Sequence, residues 1–239
     1  MLLGRFLEVS VPAPDIPASL AFYESLGFVQ APTGEAYAHP YAVVTDGRLF
    51  IGLHRREMAG PTLTWVRPDL AQHAPGLEAL GIELDAVRLD TAALNALEFT
   101  DPAGQRVALL EARTFSPPDL PPGHASQLGY FEEYGLPTRE REACRDFWDR
   151  LGLVAFDPER EPFGRQVISG RDLNLGLYDL DLRGPVLTYS APGMGERIAQ
   201  LRERGLPFAP RLPRVLETAG AALLRAPEGT ELLLVEELP

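Results

Sequence analysis

The chain has 239 residues, 45% of them hydrophobic and 23% charged, with a formal net charge of −12 at pH 7. It can bury two cores of the usual domain size, roughly 100 to 150 residues each. The acidic balance argues against nucleic-acid binding, because phosphate backbones repel such a surface and no local basic patch offsets it. No bilayer-spanning apolar stretch or secretory signal is seen, so we expect a cytoplasmic protein without a membrane partner.

The first elements are a strand and a helix. Residues 6–11 alternate apolar and other side chains with the period of two that is typical of a strand. Asp15 is the predicted N-cap of the helix, Pro17 fits its first turn, and Gly27 ends it. Three further strands are predicted near Phe28, at 41–45 and at 48–54.

The pair Asp46-Gly47 predicts a two-residue hairpin between the last two of these strands. This first unit therefore has the order β-α-β-β-β. The same order follows after Gly60, with a strand at 62–66, a helix at 69–80, and strands near Val87, at 97–100 and at 105–111. A turn at 101–104 separates the last two strands.

The second half of the chain repeats the first. Residues 134–152 answer to residues 9–27, and the pairs Phe22/Phe147 and Gly104/Gly229 share one offset. A repeat this long is a whole domain, with its own core. The repeated elements are a strand at 128–136, a helix at 140–151, strands near Val154, at 166–168, 173–178 and 186–190, a helix at 195–204, and final strands ending at 232–235.

We therefore predict a first domain at 1–113, a Pro-rich linker at 114–127 and a second domain at 128–239. Each domain would hold two β-α-β-β-β modules. The single cysteine, Cys144, excludes an intrachain disulfide and is typical of a reducing compartment. It lies on a predicted helix without an activating histidine nearby in the sequence, which disfavours a nucleophilic role.

Two motifs carry a family resemblance. The segment 15–28 reads D-I-P-A-S-L-A-F-Y-E-S-L-G-F, and 101–104 reads D-P-A-G; the second copy keeps degenerate forms at 147–152 and 227–229. Tandem modules with these motifs resemble the vicinal oxygen chelate superfamily, which includes glyoxalase I, bleomycin-resistance proteins and extradiol dioxygenases. The resemblance implies an α+β fold whose modules pair into curled mixed sheets around a cavity. It leaves function open, because the scaffold hosts enzymes and non-catalytic drug binders alike.

The resemblance also implies metal ligands on the first and last strands of each module. In the first copy the aligned positions are Glu8, Gly52, Pro61 and Ala108. In the second copy they are Glu133, Gly176, Pro185 and Leu233. One carboxylate cannot hold a divalent ion against water, so we predict no metal and no other cofactor. A rearranged Glu8/His54 site stays conceivable, although two ligands fall short of the usual three or four.

Strand parity predicts which side chains line each cavity. The candidate ligand-binding residues of the first are Phe6, Glu8, Phe50, His54, Trp65 and Arg106, with Ser10, Leu63 and Leu110 on the same faces. Those of the second are Glu133, Asn174, Tyr178 and Tyr189, with Phe131, Leu187 and Glu231. Trp65 and Tyr189 could equally be core residues or aromatic surfaces against which a ligand packs. Arg106 is a possible partner for Glu8, because a buried carboxylate needs one.

Three hypotheses follow. The first is a small-molecule binding protein without the usual divalent metal site. The second is an enzyme, either a glyoxalase-like lyase or dioxygenase with a shifted site, or a metal-free catalyst with Glu8 as catalytic general base. The third hypothesis is that the first copy keeps a binding site and the second copy mainly completes the fold. Four modules can pair within one chain, so a monomer and a homodimer are both open.

Overall fold

The computed structural model describes residues 2–33, 37–89, 94–112, 125–158 and 163–237. We call residues 2–112 the first lobe and residues 125–237 the second lobe, in both cases within these described ranges. Each lobe is built on one mixed sheet. Most of the predicted linker at 114–127 lies outside the described residues.

The first lobe contains the two predicted β-α-β-β-β modules. Their elements are β1 (Arg5–Pro12), α1 (Ile16–Ser25), β2 (Val29–Ala31), β3 (Tyr41–Thr45) and β4 (Phe50–His54), then β5 (Thr62–Arg67), α2 (Leu70–Ala79), β6 (Leu84–Arg88), β7 (Ala96–Thr100) and β8 (Arg106–Glu111). The eight strands form one sheet in the order β2-β3-β4-β1-β5-β8-β7-β6. The two modules meet at the antiparallel pair β1 and β5, whereas β1 with β4 and β5 with β8 are parallel.

The second lobe repeats this plan with one difference. Its elements are β9 (Tyr130–Pro137), α3 (Arg141–Arg150), β10 (Val154–Ala155), β11 (Arg165–Ser169) and β12 (Asn174–Tyr178), then β13 (Val186–Ala191), α4 (Met194–Glu203), α5 (Arg214–Thr218), β14 (Ala222–Arg225) and β15 (Glu231–Glu236). The seven strands lie in the order β10-β11-β12-β9-β13-β15-β14. Where the last module should start its edge strand, Phe208 forms an isolated bridge to Leu224. Helix α5 follows this bridge and was not predicted.

Local sequence signals explain most boundaries. Asp15 caps α1, because its Oδ1 accepts the Ala18 N–H at 3.1 Å. The predicted two-residue hairpin is wrong, since Thr45 pairs with Phe50 and four residues connect the strands. The Asp46 carboxylate organises that connection by accepting the backbone N–H groups of residues 48 and 49.

The main core lies between the two sheets and includes residues of both lobes. Trp65 of the first lobe and Trp148 of the second have ring centroids 6.2 Å apart, and those of Phe28 and Tyr189 are 6.4 Å apart. Trp148 Nε1 donates to Asp101 Oδ2 across the same interface at 3.0 Å. The helix-covered faces of the sheets are thus joined, which leaves the opposite faces to form sites.

The α+β class and the paired modules are confirmed. Among the helices within the described ranges, none has the length and apolar character needed to cross a bilayer.

Candidate functional site

A β-bulge decides which residues of β1 reach the outer face of the first sheet. The pairing of β1 with β5 shifts between Phe6 and Glu8, so Phe6 pairs with Trp65 while Glu8 pairs with Thr64. The bulge places Phe6 in the main core, where its ring centroid is 5.0 Å from that of Trp65. The prediction that Phe6 lines the first cavity is therefore wrong, because a bulge shifts strand alternation by one residue. The prediction for Trp65 is wrong for a different reason: on β5 the face with Leu63 and Trp65 packs in the core, and the face with Thr62 and Thr64 lines the cavity.

The outer face of the first sheet carries a cavity of about 1060 Å³. Its described lining includes hydroxyl groups, aromatic rings and charged side chains from β1, β3, β5, β7 and β8 and from the segments beside them. The lining residues most relevant here are Ser10, Tyr37, His39, Tyr41, Arg56, Thr62, Thr64, Arg106, Ala108 and Leu110. On β5 the wall is thus made by the two threonines. Leu63 lies in the core with Trp65.

Glu8 lies behind this wall and is only 2% exposed. Its Oε1 accepts a hydrogen bond from Ser10 Oγ at 2.7 Å and is 2.7 Å from His54 Nε2. Ser10 Oγ is in turn 2.9 Å from the hydroxyl oxygen of Thr64. The buried carboxylate therefore has the partners that burial requires, and they are His54 and Ser10.

His54 is itself buried, at 1% exposed, and connects Glu8 to the cavity wall. Its Nδ1 is 2.9 Å from Nε2 of His39, whose side chain lines the cavity. The Tyr41 ring stacks on His54 with centroids 5.7 Å apart and an interplanar angle of 8°. The Tyr37 ring meets His54 edge-on at 4.8 Å. The result is a continuous hydrogen-bonded chain from a cavity-lining imidazole to a buried carboxylate.

Electrostatics of the wall follow from burial and from these neighbours. Burial lowers the pKa of His39, and the nearby His54 and Arg56 lower it further, while the Glu8 carboxylate opposes them. Burial, then the charge of Glu8, raises the pKa of Tyr37. Both cavity-facing groups are thus favoured in their neutral forms, with His39 available as a base.

The structure separates the other predicted residues of the first lobe from Glu8. Arg106 lines the cavity, but its Nη2 is 3.5 Å from Glu98 Oε2, so the prediction that it partners Glu8 is wrong. Glu98 is also paired with Arg88. Phe50 shares the strand face of His54, is half-buried and does not line the cavity in the described part of the chain.

The second lobe solves the same burial problem differently. Glu133 Oε1 accepts the hydroxyl of Tyr178 at 2.7 Å and is 3.3 Å from Arg165 Nη1. Tyr178 also lies 2.7 Å from the hydroxyl of Thr188. Burial raises the pKa of Glu133, although Arg165 and the Tyr178 hydroxyl lower it.

The hollow of the second lobe is filled. Tyr178 packs there with residues that include Phe163, Leu216 and Leu233. Its ring also lies over Gly135, where a Cβ atom would be 2.4 Å from Tyr178 Cε2. Gly135 stands where the first lobe has Ser10, so a glycine admits the ring that closes this hollow.

Two further residues predicted for the second cavity lie elsewhere. Tyr189 is in the main core, with its ring centroid 5.5 Å from that of Phe131, because parity on β13 is the same as on β5. Asn174 hydrogen-bonds to Ser169 Oγ and to the backbone carbonyl of Glu132.

The ligand set that the family resemblance implies does not fit a divalent ion in the first lobe. A Cβ atom on Gly52 would lie 2.2 Å from Glu8 Oε1, so the carboxylate occupies the space that a ligand side chain at position 52 would need. Ala108 supplies no donor, and the residues of β5 on the cavity face are the neutral Thr62 and Thr64 rather than Pro61. No group of three or more His, Cys, Asp or Glu suited to a metal occurs in the ranges that the structure describes.

Sequence reasoning missed Tyr37, His39 and Tyr41. His39 lies between strands, where no periodicity assigns a face. The two threonines of β5 could have been found, since 62–66 reads T-L-T-W-V and its apolar positions suit a core better than a wet cavity.

No protein-family model and no curated protein matches the sequence. Solved structures do match. A catechol 2,3-dioxygenase gives a TM-score of 0.62 at 13% identity, covering 98% of this chain and 88% of that chain. A homoprotocatechuate 2,3-dioxygenase variant from Brevibacterium fuscum gives 0.62 at 13% identity, covering 98% and 72%. A Mn(II)-bound glyoxalase from Novosphingobium aromaticivorans gives 0.59 at 14% identity, covering 99% and 83%.

These likenesses extend over nearly the whole chain. At this level of identity they establish architecture. The chain therefore has the fold of the vicinal oxygen chelate superfamily.

Proposed function

We propose that the first lobe binds a small molecule in its outer cavity, without a divalent ion held at the usual strand positions. The observation that carries this proposal is the contrast between the lobes. The first keeps a cavity of about 1060 Å³ beside Glu8, whereas Tyr178 and its neighbours fill the corresponding hollow of the second. Small-molecule sites are concave, with apolar or aromatic walls and a few placed polar groups.

The walls suggest the kind of molecule. Tyr37 and Tyr41 offer ring faces or edges, Thr62 and Thr64 offer hydroxyls, and His39 offers an imidazole. A small aromatic compound that carries a hydroxyl or carbonyl group matches this set. Two of the similar structures are a catechol dioxygenase and a homoprotocatechuate dioxygenase, which makes catechol a reasonable first probe.

The second lobe is proposed to be structural. Its Glu133 is held by Tyr178 and Arg165 within a filled hollow, and its helix-covered face completes the main core. The domain boundaries at 113/114 and 127/128, and a monomeric or homodimeric state, remain predictions.

Saturation-transfer NMR with catechol and a panel of small phenols tests the binding site. Ala108→Phe should fill the cavity and abolish transfer, because Ala108 lines it. Val87→Phe is the matched control, since it adds the same ring at an exposed edge-strand position. Equal transfer to the wild type and to Ala108→Phe, or no transfer to any protein, would contradict the proposed site.

Metal content gives a separate test. The protein is dialysed against Mn²⁺, Fe²⁺, Ni²⁺ or Zn²⁺, passed through a desalting column and measured by mass spectrometry for bound metal. We expect far less than one ion per chain. A full equivalent that disappears in Glu8→Gln would overturn the metal-free part of the proposal.

A further inference from the structure

We propose that His39, His54 and Glu8 form a proton relay in which His39 accepts a proton from a weakly acidic O–H or C–H group of a molecule bound in the first-lobe cavity. Phenols and enolisable carbonyl compounds are the matching substrate classes. This inference rests on the proposed function, because it needs a small molecule in that cavity. It replaces Glu8 as the direct base with His39, since Glu8 lies behind the wall.

The hydrogen bonds fix the direction of the relay. An ionised Glu8 can only accept, so His54 Nε2 must carry the proton that it shares with Oε1 at 2.7 Å. A neutral His54 then has a free electron pair on Nδ1, and His39 Nε2–H must donate to it at 2.9 Å. In this state the atom of the relay that can accept a proton from the cavity is Nδ1 of His39.

Proton balance is simple. When Nδ1 of His39 takes a proton from the bound molecule, the proton on its Nε2 can pass to Nδ1 of His54. His39 is then neutral with its proton on Nδ1, and His54 is an imidazolium hydrogen-bonded to Glu8. The bound molecule becomes a phenolate or enolate, and reversal of the same steps returns the proton.

A proton that reaches His54 lies next to the Glu8 carboxylate and the Tyr41 ring. Glu8 and His54 are both almost fully buried, so their attraction is weakly screened. The Tyr41 ring stacked on His54 adds a favourable contact for a cation. Around His39 itself, the other titratable neighbours in the described part of the chain include Arg56, Tyr37 and Tyr41, and the Arg56 charge disfavours a proton resting there. The relay therefore moves positive charge away from the wall and towards the buried carboxylate.

A purely structural role for these residues would require only the Glu8–His54 pair. The second lobe shows what a structural solution looks like in this chain, with a tyrosine and an arginine on Glu133 and apolar side chains packed around the tyrosine. The first lobe instead continues the chain to a histidine in the cavity wall. That extension is the feature a merely structural pair does not need.

Acylation by diethyl pyrocarbonate tests the relay without a ligand, because the reagent attacks unprotonated histidine nitrogen. Rates at His39 are measured by peptide mass spectrometry as a function of pH, with His73 as internal reference. In Glu8→Gln we expect the plateau rate at His39 to fall by roughly tenfold or more and its apparent pKa to drop. Glu133→Gln is the matched control in the second lobe and should change neither value.

His54→Gln is the second variant, in case Glu8→Gln does not fold, as judged by circular dichroism. It should lower the acylation rate at His39 to the same extent. Unchanged plateau and pKa in a folded Glu8→Gln or His54→Gln protein would overturn the relay.

Spectra of bound 4-nitrophenol separate the two proposals. The wild type should shift this probe towards its phenolate form relative to free solution, and Glu8→Gln should bind it without the shift. Saturable binding with an unshifted spectrum in the wild type overturns the relay and leaves the binding site intact. No saturable binding, or binding that Ala108→Phe leaves unchanged, overturns the proposed function and removes the substrate of the relay.

Discussion

His54 and Tyr178 occupy the same position in the two sheets. Each ends the last strand of its module, opposite Pro12 in one lobe and Pro137 in the other. Each also hydrogen-bonds to the glutamate of the central strand, at 2.7 Å in both lobes. In the first lobe this position continues a hydrogen-bonded chain to the open cavity, whereas in the second lobe, together with Gly135 in place of Ser10, it helps to close a packed hollow.

Gly52 and Gly176 should resist even a methyl group. Their Cβ atoms would lie 2.2 Å from Glu8 Oε1 and 2.3 Å from Glu133 Oε1. We expect Gly52→Ala and Gly176→Ala each to lower the free energy of unfolding by about 1–3 kcal/mol, because the buried carboxylate must leave its partners. Urea denaturation measures this. Gly60→Ala, where nothing lies within 4 Å, is the control and should be close to neutral.

Trp65 should matter for stability and not for ligand binding. It is 3% exposed and packs against Phe6 and Trp148 in the main core. Trp65→Ala should cost about 3–5 kcal/mol of unfolding free energy. Catechol transfer in the NMR experiment should persist at a temperature where the variant is folded. Loss of saturation transfer with unchanged stability would contradict this prediction and indicate that Trp65 lines the cavity.

The pH dependence of Glu133 has a definite sign. Burial raises its pKa in the folded state, so the folded protein holds this proton more tightly than the unfolded chain. Between its ordinary pKa, about 4.3, and the raised value, the Glu133 contribution to stability falls as pH rises. The unfolding free energy of the wild type minus that of Glu133→Gln should therefore grow as pH is lowered from about 8 to about 5. Denaturant titrations that show no growth of this difference as pH is lowered would contradict the raised pKa, because a carboxyl stabilised as an anion changes stability only below its ordinary pKa of about 4.3.

Glu228 connects the lobes through α1. It accepts the hydroxyls of Tyr23 and Ser19, each at 2.7 Å. Tyr23→Phe should cost about 1.5–3 kcal/mol, the usual range for a hydrogen bond to a charged group. A double-mutant cycle with Glu228→Gln should show coupling, whereas a cycle with the exposed Val87→Ala, on the edge strand β6 at the opposite end of the sheet from β2, should be additive.

Cys144 should be inert while the protein is folded. It is buried, and burial, followed by the charge of Asp101, raises the pKa of its thiol to about 12. Iodoacetamide at a pH of about 8 should alkylate it only after urea unfolds the chain. Intact-mass spectrometry measures the reaction, and rapid alkylation of the native protein would contradict this expectation.

The sequence by itself determined the repeated motifs, the order of strands and helices apart from α5, and the two glutamates of the central strands. Those features depend on local periodicity and on capping residues such as Asp15, which act within a few residues. The sequence also showed that Gly52 and Ala108 cannot ligate a metal.

Only the tertiary structure decided which side chains meet. The bulge in β1 sends Phe6 to the core although Glu8 and Ser10 lie on the opposite face, and no alternation rule reveals it. The approach of His39 to His54 depends on how the segment before β3 folds back over the sheet. Partners for a buried charge are chosen by distance in space, so Glu8 pairs with His54 rather than Arg106.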